Sequence, residues 1–218
     1  MAKKATISVD GFRYLLHTIV RRATLIDIEN WEAEHLVIPS LVSFQGQVFD
    51  VATIASEAFC DCENLLSVTL PDSLISISNL FHSCRNLTSV TILKTVKKIG
   101  RDAFVDCPRL NLVIPDTVTS IEKGAFRGKI KSITFSNRLA TIEKYAFSGC
   151  TNLTSIVIPN SVTSIGAYAF TGCRRLASAV IPAIHSDDIE SVERRVFNEC
   201  PNVVFKYSAG GFMELSDK

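Results

Sequence analysis

The sequence lacks long hydrophobic runs and a strong charge of either sign. No stretch approaches the roughly 18 consecutive uncharged apolar residues of a transmembrane helix, so membrane insertion is not expected. Lys and Arg together number 23, against 22 Asp and Glu. Because nucleic-acid binding normally needs a larger basic excess with exposed aromatic residues among the charges, no nucleic-acid partner is expected.

The motifs of common catalytic sites are also absent. The sequence contains no H-E-x-x-H, no G-x-S-x-G and no glycine-rich phosphate loop. Cys60 and His82 could act as a nucleophile and a base, but no neighbouring residue supplies a third group to orient His82. The segment His185–Asp188 could hold a cation through its carboxylates, although an exposed polar loop is the usual structure of such a segment. We therefore predict no enzyme activity, no cofactor and no metal site.

The N-terminal segment lacks the apolar core of a signal peptide. Met1-Ala-Lys3-Lys4 is basic, but Asp10, Arg13 and His17 interrupt the region in which a signal peptide has about 7–15 apolar residues. The chain is therefore expected to be cytosolic, to be secreted by an unconventional route, or to have lost a signal by cleavage. The sequence leaves its location open.

What the sequence contains instead is a repeat marked by phenylalanine. Its period is about 22 residues, inside the range of leucine-rich repeats. A single repeat cannot bury its own apolar residues, so stacked copies must bury them against each other in continuous columns. The column phenylalanines are Phe59, Phe81, Phe104, Phe126, Phe147, Phe170 and Phe197.

The unit I-P-x-S-V-T-S-I-G-x-x-A-F-x-x-C-x-x-L, clearest at Ile158–Leu176, resembles the BspA-like leucine-rich repeats, type 5. The resemblance covers about residues 36–207. It implies a β-rich solenoid of the α/β class, a right-handed curved superhelix with a parallel β-sheet along one face. It also implies roles in cell-surface adhesion and protein recognition, a surface or secreted location, and no catalytic residues.

Local patterns predict the elements of each repeat and of the chain ends. The alternation in Leu87–Ile92 predicts a strand buried on one side, and Gly-x-x-Ala-Phe predicts a short helical turn at each corner. Lys129, which replaces the column cysteine, and an insertion over Ala183–Asp188 break the regularity.

Three parts of the chain are predicted. Residues 1–46 are expected to form an N-terminal β cap with a hairpin turn at Asp10-Gly11. Trp31 in that cap is expected to cover the end of the core, or alternatively to stack on a ligand. Residues 47–207 are expected to form a solenoid of about seven repeats, and residues 208–218 a flexible tail.

Six of the seven cysteines share one column of the repeat, which argues against disulfides. Side chains in register would be one strand spacing apart, ~4.8 Å, beyond the usual Cβ separation of ~3.5–4.5 Å in a disulfide. We interpret the column cysteines as small buried hydrophobes. Cys60 lies outside the column and is predicted to be the most reactive thiol; with Cys62 it forms only a weak metal-binding signal.

The outward positions of the strands form the first candidate binding surface, called the sheet face below. Small and β-branched residues suit any solvated sheet, but a broad uncharged face that becomes partly apolar could also contact a protein or glycan. Its residues are Ser67, Thr69, Ser89, Thr91, Asn111, Val113, Ser132, Thr134, Ser155, Val157, Ser178 and Val180.

A second candidate surface is a row of cations, called the basic ladder below: Arg101, Lys123, Lys144 and Arg194. Glutamates precede the last three, and alternating charges usually form a solvated face with ion pairs worth ~0–1 kcal/mol each. The segment from Lys94 to Lys144 contains eleven basic residues and five acidic ones. An anionic glycan or an acidic protein surface would fit this row.

These features predict a non-enzymatic binding module for protein–protein or protein–glycan recognition, with adhesion implied by the resemblance. One alternative is a structural, self-assembling repeat protein, since imperfectly capped strands can pair with other chains. Another is an intracellular interaction scaffold. The chain is expected to be monomeric or to associate weakly, and the sequence does not identify the partner.

Overall fold

The computed structural model describes residues 4–183, 194–212 and 214–216, with side chains described for 4–182 and 194–208. Within these ranges the only helical backbone spans 194–196. The insertion predicted over Ala183–Asp188, including His185–Asp188, lies outside the described residues after Ala183, as does Glu193 of the charged row. The described chain is a solenoid of short parallel strands, which confirms the predicted architecture.

The N-terminal cap is a five-stranded mixed sheet. Asp10 and Gly11 have φ of 50° and 79°, the left-handed pair that a two-residue hairpin turn requires, so the predicted hairpin is confirmed. The strands of this five-stranded sheet lie in the spatial order β1 (Lys4–Val9), β2 (Phe12–His17), β3 (Arg22–Ile28), β6 (Gln47–Ile54) and β5 (Leu41–Phe44). Because β6 pairs with both β3 and β5, this sheet continues past residue 46.

Trp31 does not cover the end of the core. It lies in the segment between β3 and the next strand and is 47% exposed. The interior of the cap is filled instead by Phe12, Tyr14 and Phe49, all buried. Trp31 follows Asn30 and precedes polar residues, so local sequence does not show which aromatic side chain reaches the core.

One strand from each repeat contributes to the long face of the solenoid. These strands pair in parallel in three segments, with orders β4-β7-β9, β11-β13 and β15-β17-β18. They are β4 (His35–Val37), β7 (Ser67–Thr69), β9 (Ser89–Thr91), β11 (Cys107–Val113), β13 (Ile130–Thr134), β15 (Ser155–Val157), β17 (Ser178–Ala183) and β18 (Val204–Phe212).

A second parallel sheet of very short strands lies on another side of the solenoid. Each strand from the central repeats buries one isoleucine of the repeat column. In spatial order the strands are β19 (Glu214–Ser216), β16 (Ser164–Gly166), β14 (Thr141–Ile142), β12 (Ser120–Ile121), β10 (Lys98–Ile99) and β8 (Ser76–Ile77).

The corners are tight turns at the Ala-Phe positions, and among the described residues only the last one, at 194–196, contains helical backbone. At one corner the amide of Ala146 donates to the carbonyl of Glu143 (3.2 Å), and that of Ser148 donates to Tyr145 (3.1 Å). Tyr145 and Gly149 have φ of 60° and 72°, and a left-handed residue interrupts a right-handed helix. Similar left-handed pairs occur at 57 and 61, 79 and 83, 102 and 106, 124 and 128, and 168 and 172.

Backbone hydrogen bonds also join successive corners. The amide of Phe104 donates to the carbonyl of Ala125 (2.8 Å), and that of Phe126 donates to Ala146 (2.8 Å). The corners therefore form a third ladder beside the two sheets. Successive repeats are thus joined at up to three places around the circumference, with the long sheet interrupted between β9 and β11 and between β13 and β15.

The column phenylalanines form a continuous stack inside these ladders. All seven are buried, with neighbouring ring centroids 4.9 to 5.4 Å apart and ring planes within 10° of parallel. At the C-terminal end, Phe205 contacts Phe197 edge-on at 5.0 Å. This arrangement confirms that the recurring phenylalanines are core residues.

The flexible tail predicted over residues 208–218 is wrong for most of its length. Strand β18 continues to Phe212 alongside β17, and β19 pairs with β16. The last repeat would otherwise leave two rows of backbone groups without partners, and the C-terminal segment pairs with them. The phenylalanine-marked pattern ends before this segment, so it carries no signal of the pairing.

We expect Phe126→Ala to lower the free energy of unfolding by ~3–5 kcal/mol, because it opens a cavity in the core. Phe126 lies between Phe104 and Phe147, at centroid distances of 5.4 and 4.9 Å. Phe126→Leu, which keeps most of the buried volume, should cost clearly less. Urea denaturation followed by circular dichroism measures both, and equal losses would contradict a role based on packing.

Candidate binding surfaces

The structure places the sheet face in two rows that run through three paired strand segments. Strand pairing sets Ser67 opposite Ser89 and Thr69 opposite Thr91, while Val90 points into the core. The same register joins Asn111 with Ser132 and Val113 with Thr134, and then Ser155 with Ser178 and Val157 with Val180. The predicted residues therefore lie together on one side of the solenoid.

Two further strands extend this face beyond the predicted residues. At the N-terminal end β4 adds His35 and Val37, and at the C-terminal end β18 adds Val204 and Lys206. A strand over His35–Ile38 is predicted from the sequence; that His35-Leu-Val-Ile-Pro39 ends in the same Ile-Pro as Ser155-Ile-Val-Ile-Pro159 is the signal that could have assigned this strand to the sheet face.

The two rows differ in chemistry. In the first, polar side chains bond to one another: His35 Nδ1 and Ser67 Oγ are 2.7 Å apart, and Ser132 Oγ donates to Asn111 Oδ1 at 2.7 Å. The second row is β-branched and strongly exposed, since Val113 is 71% and Val157 63% accessible. The face thus combines a hydrogen-bonding row with a row of exposed methyl groups; the residues of the two rows are uncharged before Lys206, but the same strands also carry the exposed cations Arg109 and Lys131.

A shortened repeat interrupts the face. Ile130 follows Phe126 by 4 residues (130 − 126), whereas Leu110 follows Phe104 by 6 (110 − 104). Ile130 pairs with Cys107, and the register shifts between Cys107 and Asn111. The alignment of Ile130 with Leu110 that the repeat pattern predicts is therefore wrong, because the chain at this corner is too short to maintain it.

The shortening also changes a contact between repeats. Asn86 Nδ2 donates to the carbonyl of Glu63 (2.6 Å) in the preceding repeat. Asn152 Nδ2 instead donates to Pro108 (3.2 Å), two repeats away. The side chain reaches that far because the intervening corner has lost the residues that would otherwise lie between them.

The basic ladder lies at the start of the corners. Arg101 and Lys123 are exposed, and Arg194 is exposed at the start of the helical residues 194–196. Lys144 is half-buried, with Nζ 5.4 Å from the ring centroid of Tyr145. Strand pairing of β10 with β12 places Arg101 level with Lys123.

The described glutamates of the row do not form ion pairs along the ladder. Glu122 pairs with Lys98 (3.6 Å) on the neighbouring strand. Glu143 accepts a hydrogen bond from the backbone amide of Lys123 (3.0 Å). Among the described residues no ion pair joins Arg101 or Lys123 to a carboxylate.

Three shallow depressions follow one another along the corners, and we call them together the corner groove. Their volumes are about 370, 360 and 280 Å³. Ser148 lines both the second and the third depression, so these two are adjacent. The first depression is lined mainly by Arg85, Asp106 and Lys129. The second is lined by Arg101, Asp102, Lys123, Gly124, Arg127 and Tyr145. The third is lined by Gly149, Thr171, Gly172, Arg174 and Glu199.

The middle depression exists because Gly124 has no side chain. Gly124 has φ of 69°, and a Cβ there would lie 2.7 Å from Asp102 Oδ1. Asp102 forms an ion pair with Arg127 (3.8 Å) beside this gap. In the next repeat Tyr145 occupies the corresponding position and stacks on Tyr168 at 5.5 Å.

The column cysteines are hydrogen-bond donors, a role that the pattern did not predict. Five of the six column thiols donate to the carbonyl of a column phenylalanine in the preceding repeat; Cys62, in the first repeat, has no such bond among the described residues. The Sγ to O distances are 2.9 Å for Cys84 to Phe59, 3.0 Å for Cys107 to Phe81, 3.1 Å for Cys150 to Phe126, 3.2 Å for Cys173 to Phe147 and 3.1 Å for Cys200 to Phe170. All seven cysteines are free.

The environment of the thiols does not favour a nucleophile. Burial raises the pKa of Cys62 to about 12. The pKa of Cys84 is raised first by its hydrogen bond with Cys107 and second by burial. Burial also raises the pKa of Cys60, and a backbone hydrogen bond with His82 lowers it in part. The contact of His82 with Cys60 is made by the His82 backbone. The His82 residue itself is exposed.

The described residues contain neither a metal-binding cluster nor a membrane-spanning helix. No group of three or more His, Cys, Asp or Glu side chains is arranged to hold a metal ion. In the same ranges, no helix has the length and apolar character needed to cross a membrane.

Comparison with known sequences identifies the repeat. The model for the BspA type leucine rich repeat region matches residues 39–112 and 102–208, with 6 copies. No curated protein matches the chain.

Solved structures share the fold. A leucine rich cell surface protein from Faecalibacterium prausnitzii is 29% identical, with a TM-score of 0.58 over 81% of this chain and 54% of that one. The pneumococcal vaccine antigen PcpA is 23% identical, with a TM-score of 0.68 over 80% and 49%. A leucine rich repeat protein from T. pallidum is 22% identical, with a TM-score of 0.52 over 95% and 86%. The chain spans about half the length of the first two.

At about pH 8 we expect iodoacetamide to modify only Cys60 in the folded protein, because the other cysteines are buried. In Cys60→Ser the folded protein should take up no label, and denaturation should expose all remaining thiols. Mass spectrometry of the labelled protein counts the modified sites. Labelling of folded Cys60→Ser would show that the thiol column opens more readily than its packing indicates.

Proposed function

Because the chain belongs to the BspA-type leucine-rich repeat family, we propose that it is a non-enzymatic recognition module that binds a protein or a glycan through the sheet face. The observation that carries this proposal is the pair of rows on that face. One row offers hydroxyl and amide groups, and the other offers exposed valines at 71% and 63% accessibility. An extended surface of this composition is suited to a broad, shallow contact.

The rigidity of the face supports the same role. Ser, Thr and Val have few rotamers, and β-branched side chains are restricted further, so a partner would order few side chains on binding. The strands below are held by parallel backbone pairing. A surface that is already ordered loses little conformational entropy when it binds.

We propose a location at the cell surface, with adhesion as the biological role. The chain is similar to a protein from Faecalibacterium prausnitzii that is described as a leucine rich cell surface protein. The two rows of the sheet face are themselves uncharged up to Lys206, which suits contact with neutral glycans or protein surfaces. An intracellular interaction scaffold is the alternative that would use the same face.

Self-assembly is a second candidate function, supported by the position of β18. This strand is the last of its sheet segment, so one side of it is an edge to which another strand could be added. The two functions predict different behaviour in solution. A recognition module acts as a monomer, whereas an assembling protein grows with concentration.

We expect Ser89→Glu, Thr91→Glu, Ser132→Glu and Thr134→Glu together to weaken partner capture at least tenfold, because buried carboxylates at the contact would lose hydration. The melting temperature should change little, since all four residues are exposed. A matched variant carries glutamate at Ser76, Thr95, Thr119 and Thr163, which are exposed on other sides. Binding to a glycan array and to extracellular-matrix proteins measures capture, and equal effects of the two variants would exclude the sheet face.

We expect light scattering to report a single molar mass, that of the 24.0 kDa chain, across a wide concentration range. The reason is that the sheet face itself offers no large apolar patch to a second copy. A mass that rises with concentration would favour the assembly function. Substituting lysine at Val204, which is 60% exposed on β18, should then reverse the rise.

A further inference from the structure

The corner groove concentrates positive charge in a chain that is nearly neutral. Its lining contains six basic residues and three acidic ones, whereas the whole chain has a formal net charge of +1. The basic residues are Arg85, Arg101, Lys123, Arg127, Lys129 and Arg174, and the acidic ones are Asp102, Asp106 and Glu199.

Ion pairs leave part of this charge uncompensated. Asp102 pairs with Arg127 at 3.8 Å, and Glu199 pairs with Arg174 at 3.8 Å. In the part of the chain that the structure describes, the side chains of Arg101 and Lys123 form no ion pair, although the Glu143 carboxylate accepts a hydrogen bond from the Lys123 backbone amide. Both are exposed and lie level in adjacent repeats. They are therefore available to bind an anionic group together.

The shape of the groove fits a thin linear chain. It runs along the solenoid axis, where the stacked rings set a spacing of about 5 Å between repeats. Gly124, Gly149 and Gly172 place no side chains in it, while Ser148 and Thr171 contribute hydroxyls. Hydroxyl and amide groups next to paired cations suit a polymer that carries both hydroxyls and anionic groups.

We propose that the corner groove binds a linear anionic polysaccharide, with Arg101 and Lys123 contacting its sulfate or carboxylate groups. The proposal rests on the proposed recognition function and adds a second surface, separate from the sheet face. The neutral portions of the sugar would lie over Gly124 and hydrogen-bond to Ser148 and Asp102.

The chemistry of the lining favours a polysaccharide over nucleic acid or protein. Single-stranded nucleic acid needs open aromatic faces for its bases, but Tyr145 and Tyr168 stack on each other and Lys144 covers Tyr145. A protein partner would need an apolar anchor in a dry pocket. The lining of all three depressions is mainly charged, hydroxylated or glycine.

The test measures binding of the full chain to four immobilised or titrated probes. These are a heparin-type sulfated polysaccharide, polygalacturonate as a carboxylated polymer without sulfate, neutral dextran, and single-stranded DNA. We expect one or both anionic polysaccharides to bind and dextran not to bind. Sulfated and carboxylated ligands are distinguished by which of the first two probes binds. Binding should weaken as salt shortens the Debye length below ~10 Å.

Arg101→Gln with Lys123→Gln should weaken this binding about tenfold or more, because two charge-assisted hydrogen bonds are lost. The matched control is Lys94→Gln with Arg138→Gln, which removes the same charge from a depression outside the corner groove. The control should change affinity less than about twofold, as expected for distant charges under screening. Circular dichroism and melting temperature verify that both variants are folded.

Several results would overturn the proposal: no binding of either anionic polysaccharide, equal losses in the two variants, or tighter binding of single-stranded DNA than of both polysaccharides. Failure of the corner-groove proposal can be distinguished from failure of the proposed recognition function. If the chain captures a partner through the sheet face but binds no anionic polysaccharide, only the corner-groove proposal fails. If neither surface captures anything, the recognition function fails as well.

Discussion

The stacking of one repeat on the next controls the rest of this structure. Phenylalanine rings lie 4.9 to 5.4 Å apart, close to the ~4.8 Å between hydrogen-bonded strands. Because these spacings nearly coincide, the rings pack while three backbone ladders keep their hydrogen bonds. A side chain at a given position of one repeat therefore lies directly beside its counterpart in the next.

This register explains why column cysteines suit the core. A thiol is small enough to fit beside the stacked rings, and it donates to a phenylalanine carbonyl in the preceding repeat at about 3 Å. The column is broken at Lys129, where the corner is also shortened. There Ile130 pairs with Cys107, and the long face divides between β13 and β15. A loss of two residues thus changes pairing across the repeat boundary.

Both proposed surfaces are products of the same stacking. On the sheet face, stacking converts single Ser, Thr and Val positions into rows with regular spacing. At the corners it converts single Arg and Lys positions into a line of charge beside glycines. The two surfaces differ in chemistry because strand positions tolerate small β-branched residues, whereas corner positions are solvated and accept charge. One chain can therefore offer an uncharged contact surface and a basic groove.

The sequence by itself determined the repeat, the phenylalanine core, the strand positions and the residues of the sheet face, because these depend on periodicity that is visible within one repeat. Only the tertiary structure decided the features that depend on which residues meet across repeats. It placed Ile130 beside Cys107, paired Glu122 with Lys98, opened the gap over Gly124 beside Asp102, and added β19 to β16. The corner turns also belong to this second group, since Tyr145 adopts a left-handed conformation that a non-glycine residue does not favour by itself. Local pattern identifies what is buried, whereas contacts between repeats determine what each exposed side chain lies against.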